Sequence, residues 1–412
     1  FFFTHTPESP ILSGLVGSEM CIRDRVILTA IVTVPEVYGE IKVETVLDDL
    51  NNPWEIVFGP DGTIYFTERG GKLWSIEESG AVELISNFPV SHTFEGGSLG
   101  LALDPSFEKN NHIYMYHTYV DLELHHNKVI KYTLADGKLI DEKILIDKIP
   151  GALWHDGGRI KFGPDQKIYV TTGDAINPNF SQDINSLAGK ILRINSDGTI
   201  PGDNPFVGNP VFSYGHRNPQ GLDWSKDGVL VSSEHGPSGE RGYAHDEINI
   251  INPANNYGWP EVVGQSDDSQ YVNPIIHSGD ETWAPSGLLY YNSDVIPQLE
   301  GKFLVAALRG QHVMVLDLDL EINKVNSLDK IFQGDFGRIR TLAQSPDGYV
   351  YMLTSNGEND KILRIYDVEP ETITAQSAKP TSTFDVYWIF AIIIGAIIVG
   401  IIMKMKRRSS SS

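Results

Sequence analysis

Several loops in this chain carry residues whose types and spacing could do chemistry. Trp154-His155-Asp156-Gly157-Gly158-Arg159 sets an imidazole beside two glycines just before an alternating run, and Thr172-Gly173-Asp174 closes that run with a carboxylate. A histidine oriented by an acid is general-base chemistry, although surface loops also carry such pairs. Ser213-Tyr214-Gly215-His216-Arg217-Asn218-Pro219-Gln220-Gly221 packs a guanidinium, an imidazole and an amide between two glycines. There Arg217 could meet a carboxylate or a developing oxyanion, or simply pair with a surface acid. Glu234-His235-Gly236-Pro237, His245-Asp246-Glu247, Asn256-Tyr257-Gly258-Trp259-Pro260 and Asp267-Asp268 follow. Carboxylates and Gly or Pro carbonyls are hard-oxygen ligands that suit Ca²⁺ better than zinc, and a solvated acidic loop is the alternative. Gly337-Arg338-Ile339-Arg340 and Leu308-Arg309-Gly310 gather cations in a chain of formal net charge −22. That points to an anionic ligand or to interstrand ion pairs.

The elements that must position these loops are β-strands. With 39 Gly and 23 Pro the chain is rich in turns, and 41% hydrophobic residues can fill a large core. One phrase recurs: FGPDGTIYFTE at Phe58, LDPSFEKNNHIYMYHT at Leu103, FGPDQKIYVTTGD at Phe162, DWSKDGVLVSSEHG at Asp223 and QSPDGYVYMLTSNG at Gln344. Pro sets φ and Gly tolerates φ > 0 in a tight turn, and the alternating run that follows suits a strand. Second strands such as GKLWSIE at Gly71, GKILRIN at Gly189 and KILRIYD at Lys361 come shortly after. Repeats of roughly 40–60 residues predict an all-β, six-bladed propeller of four-stranded antiparallel blades over residues 40–368, with a degenerate copy near Gly301 to Asp319. A β-sandwich array would leave the repeated phrase unexplained. Loops from all blades would then meet around one end of a central channel.

The acidic balance and the lack of a Lys/Arg run interleaved with aromatics argue against nucleic acid as a partner. Cys21 is the only cysteine, which excludes an intrachain disulfide and a thiolate zinc site. Residues 1–25 read as a non-native leader and 26–39 as the remnant of a signal peptide. Residues 369–383 read as a flexible stalk, and 384–403 as a transmembrane helix long enough for a bilayer core of roughly 30 Å. The basic tail 404–412 then lies in the cytoplasm by the positive-inside rule, with the propeller outside the cell membrane.

In combination and order, HDGGRIKFGPDQKIYVTTGD, AGKILRIN, GHRNPQGLDW, EHGP, DEINII, NYGWP and GRIRTLAQSPDG resemble the pyrroloquinoline quinone (PQQ)-dependent soluble glucose dehydrogenase and aldose sugar dehydrogenase family, over residues 45–367. The His of EHGP is more like the aldose branch. The resemblance implies oxidation of the C1 hydroxyl of an aldose to a lactone, with PQQ and Ca²⁺ as cofactors and an external electron acceptor, a quinone or redox protein. It implies His155 as general base, Asp174 orienting it, and Arg217 stabilising charge on the quinone oxygen. Glu95, Asn218, Arg309, Arg338 and Arg340 would hold PQQ. The carbonyls of Gly236 and Pro237 would hold one Ca²⁺, and Glu247, Asp267 and the carbonyls of Tyr257 and Val263 a second.

The chain departs from the family in three places. Glu95 replaces a Gln, Arg309 replaces a frequent Lys, and Ser238 to His245 lengthens one loop near the metal residues. Rival classes are a scaffold propeller without cofactor and a calcium-dependent lactonase on the same fold.

Overall fold

Pro60-Asp61-Gly62 makes the predicted turn: Gly62, at φ +82°, donates its N–H to Gly59 O at 3.0 Å, and Gly59 N–H donates to Thr63 O at 2.7 Å. The turn joins strands Pro53–Phe58 and Ile64–Glu68. In the computed structural model, which describes residues 40–237 and 243–368, each copy of the phrase likewise links the first and second strands of a sheet. Six four-stranded antiparallel sheets result. Their first strands, Pro53–Phe58, Ser98–Leu103, Ile160–Phe162, Pro219–Trp224, Pro285–Tyr290 and Ile339–Gln344, surround the propeller's central channel.

The fifth blade is the degenerate one. Pro285–Tyr290 reaches Phe303–Ala307 through a longer connection with a single 3₁₀ turn, Pro297–Leu299, where the second blade uses a short helix, Phe107–Asn110, and the remaining four a tight turn. Phe303–Ala307 and His312–Asp319 occupy the predicted Gly301 to Asp319 stretch.

Ring closure comes from the two ends of the propeller sequence. Glu40–Leu50 pairs antiparallel with Asp360–Val368, from Glu40 opposite Val368 to Leu50 opposite Asp360, and completes the sixth blade. Six buried hydrophobic clusters hold the ring; each bridges successive blades, and one joins the second and third blades to Trp54 of the first. Leu289, Leu304 and Val313 of the fifth, for example, meet Ile339, Met352 and Leu363 of the sixth. No blade can bury its faces alone, so each depends on its neighbours.

The expected leader (1–25), signal remnant (26–39), stalk (369–383), transmembrane helix (384–403) and tail (404–412) lie outside the described residues, as does 238–242 of the lengthened loop. Among the described residues no helix is long and apolar enough to cross a membrane.

Candidate active site

The floor of the site is a polar plug supplied by the inner strands. Arg159 is 2% exposed, lies 4.2 Å from the centre of the Trp54 ring, pairs with Glu55, and donates to Gln220 O at 2.8 Å and Thr341 Oγ1 at 3.2 Å. Arg340 lies beside it and donates to Gln220 Oε1 at 2.8 Å and Ser286 Oγ at 3.3 Å. Residues from five blades thus share one network that ties the buried cations into the channel centre, while Arg159 Nη2 and Arg340 Nε keep no hydrogen-bond partner among the described residues.

Above it stands the expected histidine. His155 follows the second blade's long outer strand and adopts φ +66°, a left-handed conformation that a side-chain-bearing residue reaches only when its surroundings impose it. They do so through close approach: a Cβ on Gly173 would lie 1.9 Å from His155 O. His155 Nδ1 bonds Asp174 Oδ1 at 2.7 Å. The fully buried Asp174 also accepts Ile176 N–H at 2.9 Å on Oδ1 and the Trp259 indole N–H at 2.8 Å on Oδ2. With Nδ1 tied to a carboxylate, Nε2 is the nitrogen available to accept a proton.

Glu95 ties three of the expected residues together. Its Oε2 accepts the His155 backbone N–H at 2.9 Å and the Asn218 side-chain amide at 3.2 Å, while Asn218 Oδ1 accepts Gly157 N–H at 3.0 Å. Around this one carboxylate lie Arg69, Arg217, Arg338 and Arg340. Burial lowers the pKa of Arg69, Arg217 and Arg340, and for Arg340 burial with the charges of Arg69 and Arg338 brings it down to about 9. Arg309 is exposed and adds its charge next to Arg338, which is itself exposed. The two arginines of Gly337 to Arg340 therefore play different parts: Arg340 is in the floor, and Arg338 stands on the rim.

Arg217 donates to His235 O at 3.2 Å and lies 5.4 Å from the Trp259 ring centre. Arg217 Nε, Arg340 Nε and His235 Nε2 are buried without a hydrogen-bond partner among the described residues. Burial, then the charges of Arg217, Arg340, His155 and Arg338, keeps His235 neutral. A cationic surplus with orphaned buried donors is a site built for a polar anion.

The metal candidates converge except for one. Gly236 and Pro237, expected for one calcium, and Glu247, Tyr257 and Val263, expected for a second, line one and the same small cavity of ≈ 10 Å³ together with Glu234 and Arg217, close to the size of one water or ion. Burial, then the charge of Glu234, pushes the Glu247 carboxyl up, so a cation would relieve both acids. Asp267 does not line this cavity. Ser266 and Asn273 clasp each other through two hydrogen bonds of 2.8 and 2.9 Å, and Asp267 is left exposed in the turn they close. Among the described residues no three His, Cys, Asp or Glu side chains form a metal cluster, so backbone carbonyls would have to complete any coordination.

The sequence reading assigned no role to Arg69, His235 or Trp259. Arg69-Gly70-Gly71 repeats the cation-beside-glycines pattern of the other loops and was the available signal. The contact of Trp259 with Asp174, 85 positions away, had none.

A closed six-bladed ring whose loops bring a His–Asp pair beside a cluster of arginines around Glu95 is an arrangement suited to an oxidoreductase with an anionic cofactor. The sequence pattern of the glucose/sorbosone dehydrogenase family matches residues 50–364, and the chain belongs to that family. Aldose sugar dehydrogenase YliI of Escherichia coli is 32% identical over 78% of this chain and 92% of its own. A glucose dehydrogenase-like oxidoreductase structure from Thermus thermophilus is 38% identical at TM-score 0.74, covering 79% of this chain and all of that one. The PQQ-bound aldose sugar dehydrogenase of Streptomyces coelicolor is 32% identical at TM-score 0.70, covering 79% and 98%.

Proposed function

We propose that this protein is a quinoprotein aldose sugar dehydrogenase that uses PQQ and Ca²⁺ to oxidise the C1 hydroxyl of an aldose to the lactone. The observation that carries this is the His155–Asp174 pair, hydrogen-bonded at 2.7 Å, next to a pocket whose arginines keep unpartnered buried N–H groups. When bound, PQQ supplies the acceptor for the hydride lost from C1, and calcium supplies Lewis-acid polarisation.

The chain's own residues do the rest. His155 Nε2 takes the C1 hydroxyl proton, and Asp174 stabilises the resulting imidazolium and fixes its orientation. Arg217 places a guanidinium, already desolvated, where negative charge grows. Arg69, Arg338 and Arg340 would hold the carboxylates of PQQ, with Arg309 at the rim, and Asn218 is set by Glu95 and Gly157 to hold the same edge. The Gly236 and Pro237 carbonyls would hold calcium. Electrons then leave to an external acceptor, a quinone or redox protein. Residues 384–403 would keep the propeller at the outer face of a membrane near that acceptor. Deleting residues 384–412 should spare dye reduction and abolish coupling to membranes.

The test is PQQ titration of the metal-stripped protein, with and without Ca²⁺, following dye reduction by a panel of aldoses. Saturable, calcium-dependent activity is expected. Absence of PQQ binding would refute the proposal and favour a scaffold propeller.

A further inference from the structure

Three large apolar side chains stand exposed beside the candidate active site: Phe94 at 53%, Trp154 at 43% and Ile176 at 48%. Each neighbours a site residue in the chain: Phe94 precedes Glu95, Trp154 precedes His155, and Ile176 lies two residues after Asp174. None contributes to the six clusters between blades. Phe94 has φ +55° and Ile176 φ +60°, conformations that are unfavourable for an aromatic and still more so for a β-branched residue. Strain and apolar exposure at the same positions contribute nothing to the core, and their place beside a catalytic pair points to a ligand.

The loops carrying them are clamped together. Glu95 N–H donates to Leu153 O at 3.1 Å and His155 N–H to Glu95 Oε2 at 2.9 Å, which holds the Phe94 and Trp154 ring centroids 4.6 Å apart at an interplanar angle of 48°. Ala175 N–H donates to His155 O at 3.3 Å, and Ile176 N–H donates to Asp174 Oδ1 at 2.9 Å, which sets the third residue against the same loop.

A pyranose is polar at its edge and presents C–H groups on its faces. Those C–H groups suit the electron-rich face of an aromatic ring, and one indole is about the area of one sugar ring. Phe94 and Trp154 adjoin and each is about half exposed, so together they present a wider apolar face than either ring alone. We infer that Phe94, Trp154 and Ile176 form an apolar wall that binds the C–H faces of the sugar and selects aldoses carrying a second ring, reducing disaccharides, over monosaccharides. This rests on the sugar dehydrogenase reading proposed above.

The experiment compares glucose and cellobiose as substrates for the full chain loaded with PQQ and Ca²⁺. Trp154→Ala and Phe94→Ala should each raise KM for cellobiose by about fivefold, more than for glucose, with kcat changed less than about twofold and the dye's KM unmoved. Trp154→Tyr should recover most of the loss. Unmoved sugar KM values, an equal rise for both sugars, or a rise confined to the dye, which would make the wall an acceptor dock, each overturns the inference. A fluorescence titration of cofactor-free protein with cellobiose separates the two claims. Saturable quenching in wild type that is lost in Trp154→Phe supports the wall even if no dye is reduced. Dye reduction without such quenching sinks the wall alone.

Discussion

Trp259 tests the proposed orientation of the base most directly. Its indole N–H is the donor to Asp174 Oδ2, at 2.8 Å, and Asp174 is fully buried, so Trp259→Phe leaves that oxygen without a partner and without access to water. A buried acceptor stripped of its donor costs about 1–3 kcal/mol. The other oxygen keeps His155 Nδ1 and the Ile176 N–H, so the carboxylate can rotate towards them and carry the imidazole with it. If that cost falls on the transition state, where the angle of His155 matters, kcat/KM drops by about 5- to 150-fold. Phe retains an aromatic face under Arg217, which limits the change to the lost donor. The assay is dye-coupled aldose oxidation at saturating PQQ and Ca²⁺, in wild-type and Asp174→Asn backgrounds. The loss should appear mainly in kcat and shrink in the Asp174→Asn background, because both changes act through one group. A loss of less than twofold in a normally folded Trp259→Phe protein, or full additivity with Asp174→Asn, would refute positioning by Trp259.

His155→Ala should lower kcat by at least about 10²-fold with little change in PQQ affinity, whereas Arg338→Ala should weaken PQQ binding and spare kcat at saturation; equal effects would contradict the assigned roles. Glu95→Gln keeps an acceptor for His155 N–H and Asn218 but removes a carboxylate charge that acts on Arg69, Arg217, Arg338 and Arg340 together. PQQ, an anion, should then bind about tenfold tighter at low salt, and an unchanged Kd would count against its placement there. Burial raises the Asp156 carboxyl to about 7, so between about pH 4 and pH 7 the folded protein keeps a proton that the unfolded chain has released. Stability therefore falls as pH rises through that window, by up to ~4 kcal/mol, and levels off above it. Asp156→Asn can still accept from Asn127 and Ala152, and should flatten this slope and be the more stable at pH 8 in urea denaturation. Removing residues 40–50 opens the sixth blade, deletes Ile41, Val43, Leu47 and Leu50, and uncovers the buried Leu363, Ile365 and Ile362 of the clusters they belong to. A loss of a few kcal/mol from a total of about 5–15 should lower Tm sharply, and an unchanged Tm would mean the ring does not depend on closure.

Local chemistry was legible in the chain. Pro-Asp-Gly turns and the alternating strands after them are set by φ preferences and side-chain periodicity within a few residues, so the blade repeat and the all-β class could be read directly, and the count of six followed once a degenerate copy was placed in the longest interval. The weak fifth blade was legible only as a gap, because its long connection around Pro297–Leu299 lacks the turn phrase. Loop composition drew attention to His155, Asp174, Arg217, Asn218 and the arginines but left structural alternatives open, and the ordered family motifs around them supplied their roles.

What the chain could not show is who meets whom across the ring. Closure by Glu40–Leu50 depends on a partner strand more than 300 residues away, and nothing in its own pattern names that partner. Trp259 under Arg217 and against Asp174, Arg69 near Arg338, and Arg340 in the floor while Arg338 stands at the rim all follow from the blade geometry. So does the exclusion of Asp267 from a cavity that its neighbours line. Residue types and turns determined the architecture and the kind of chemistry. Only packing of the six blades around the channel decided burial, and burial sets which arginines are desolvated, which carboxylate is shared and which nitrogen of His155 is left free to act.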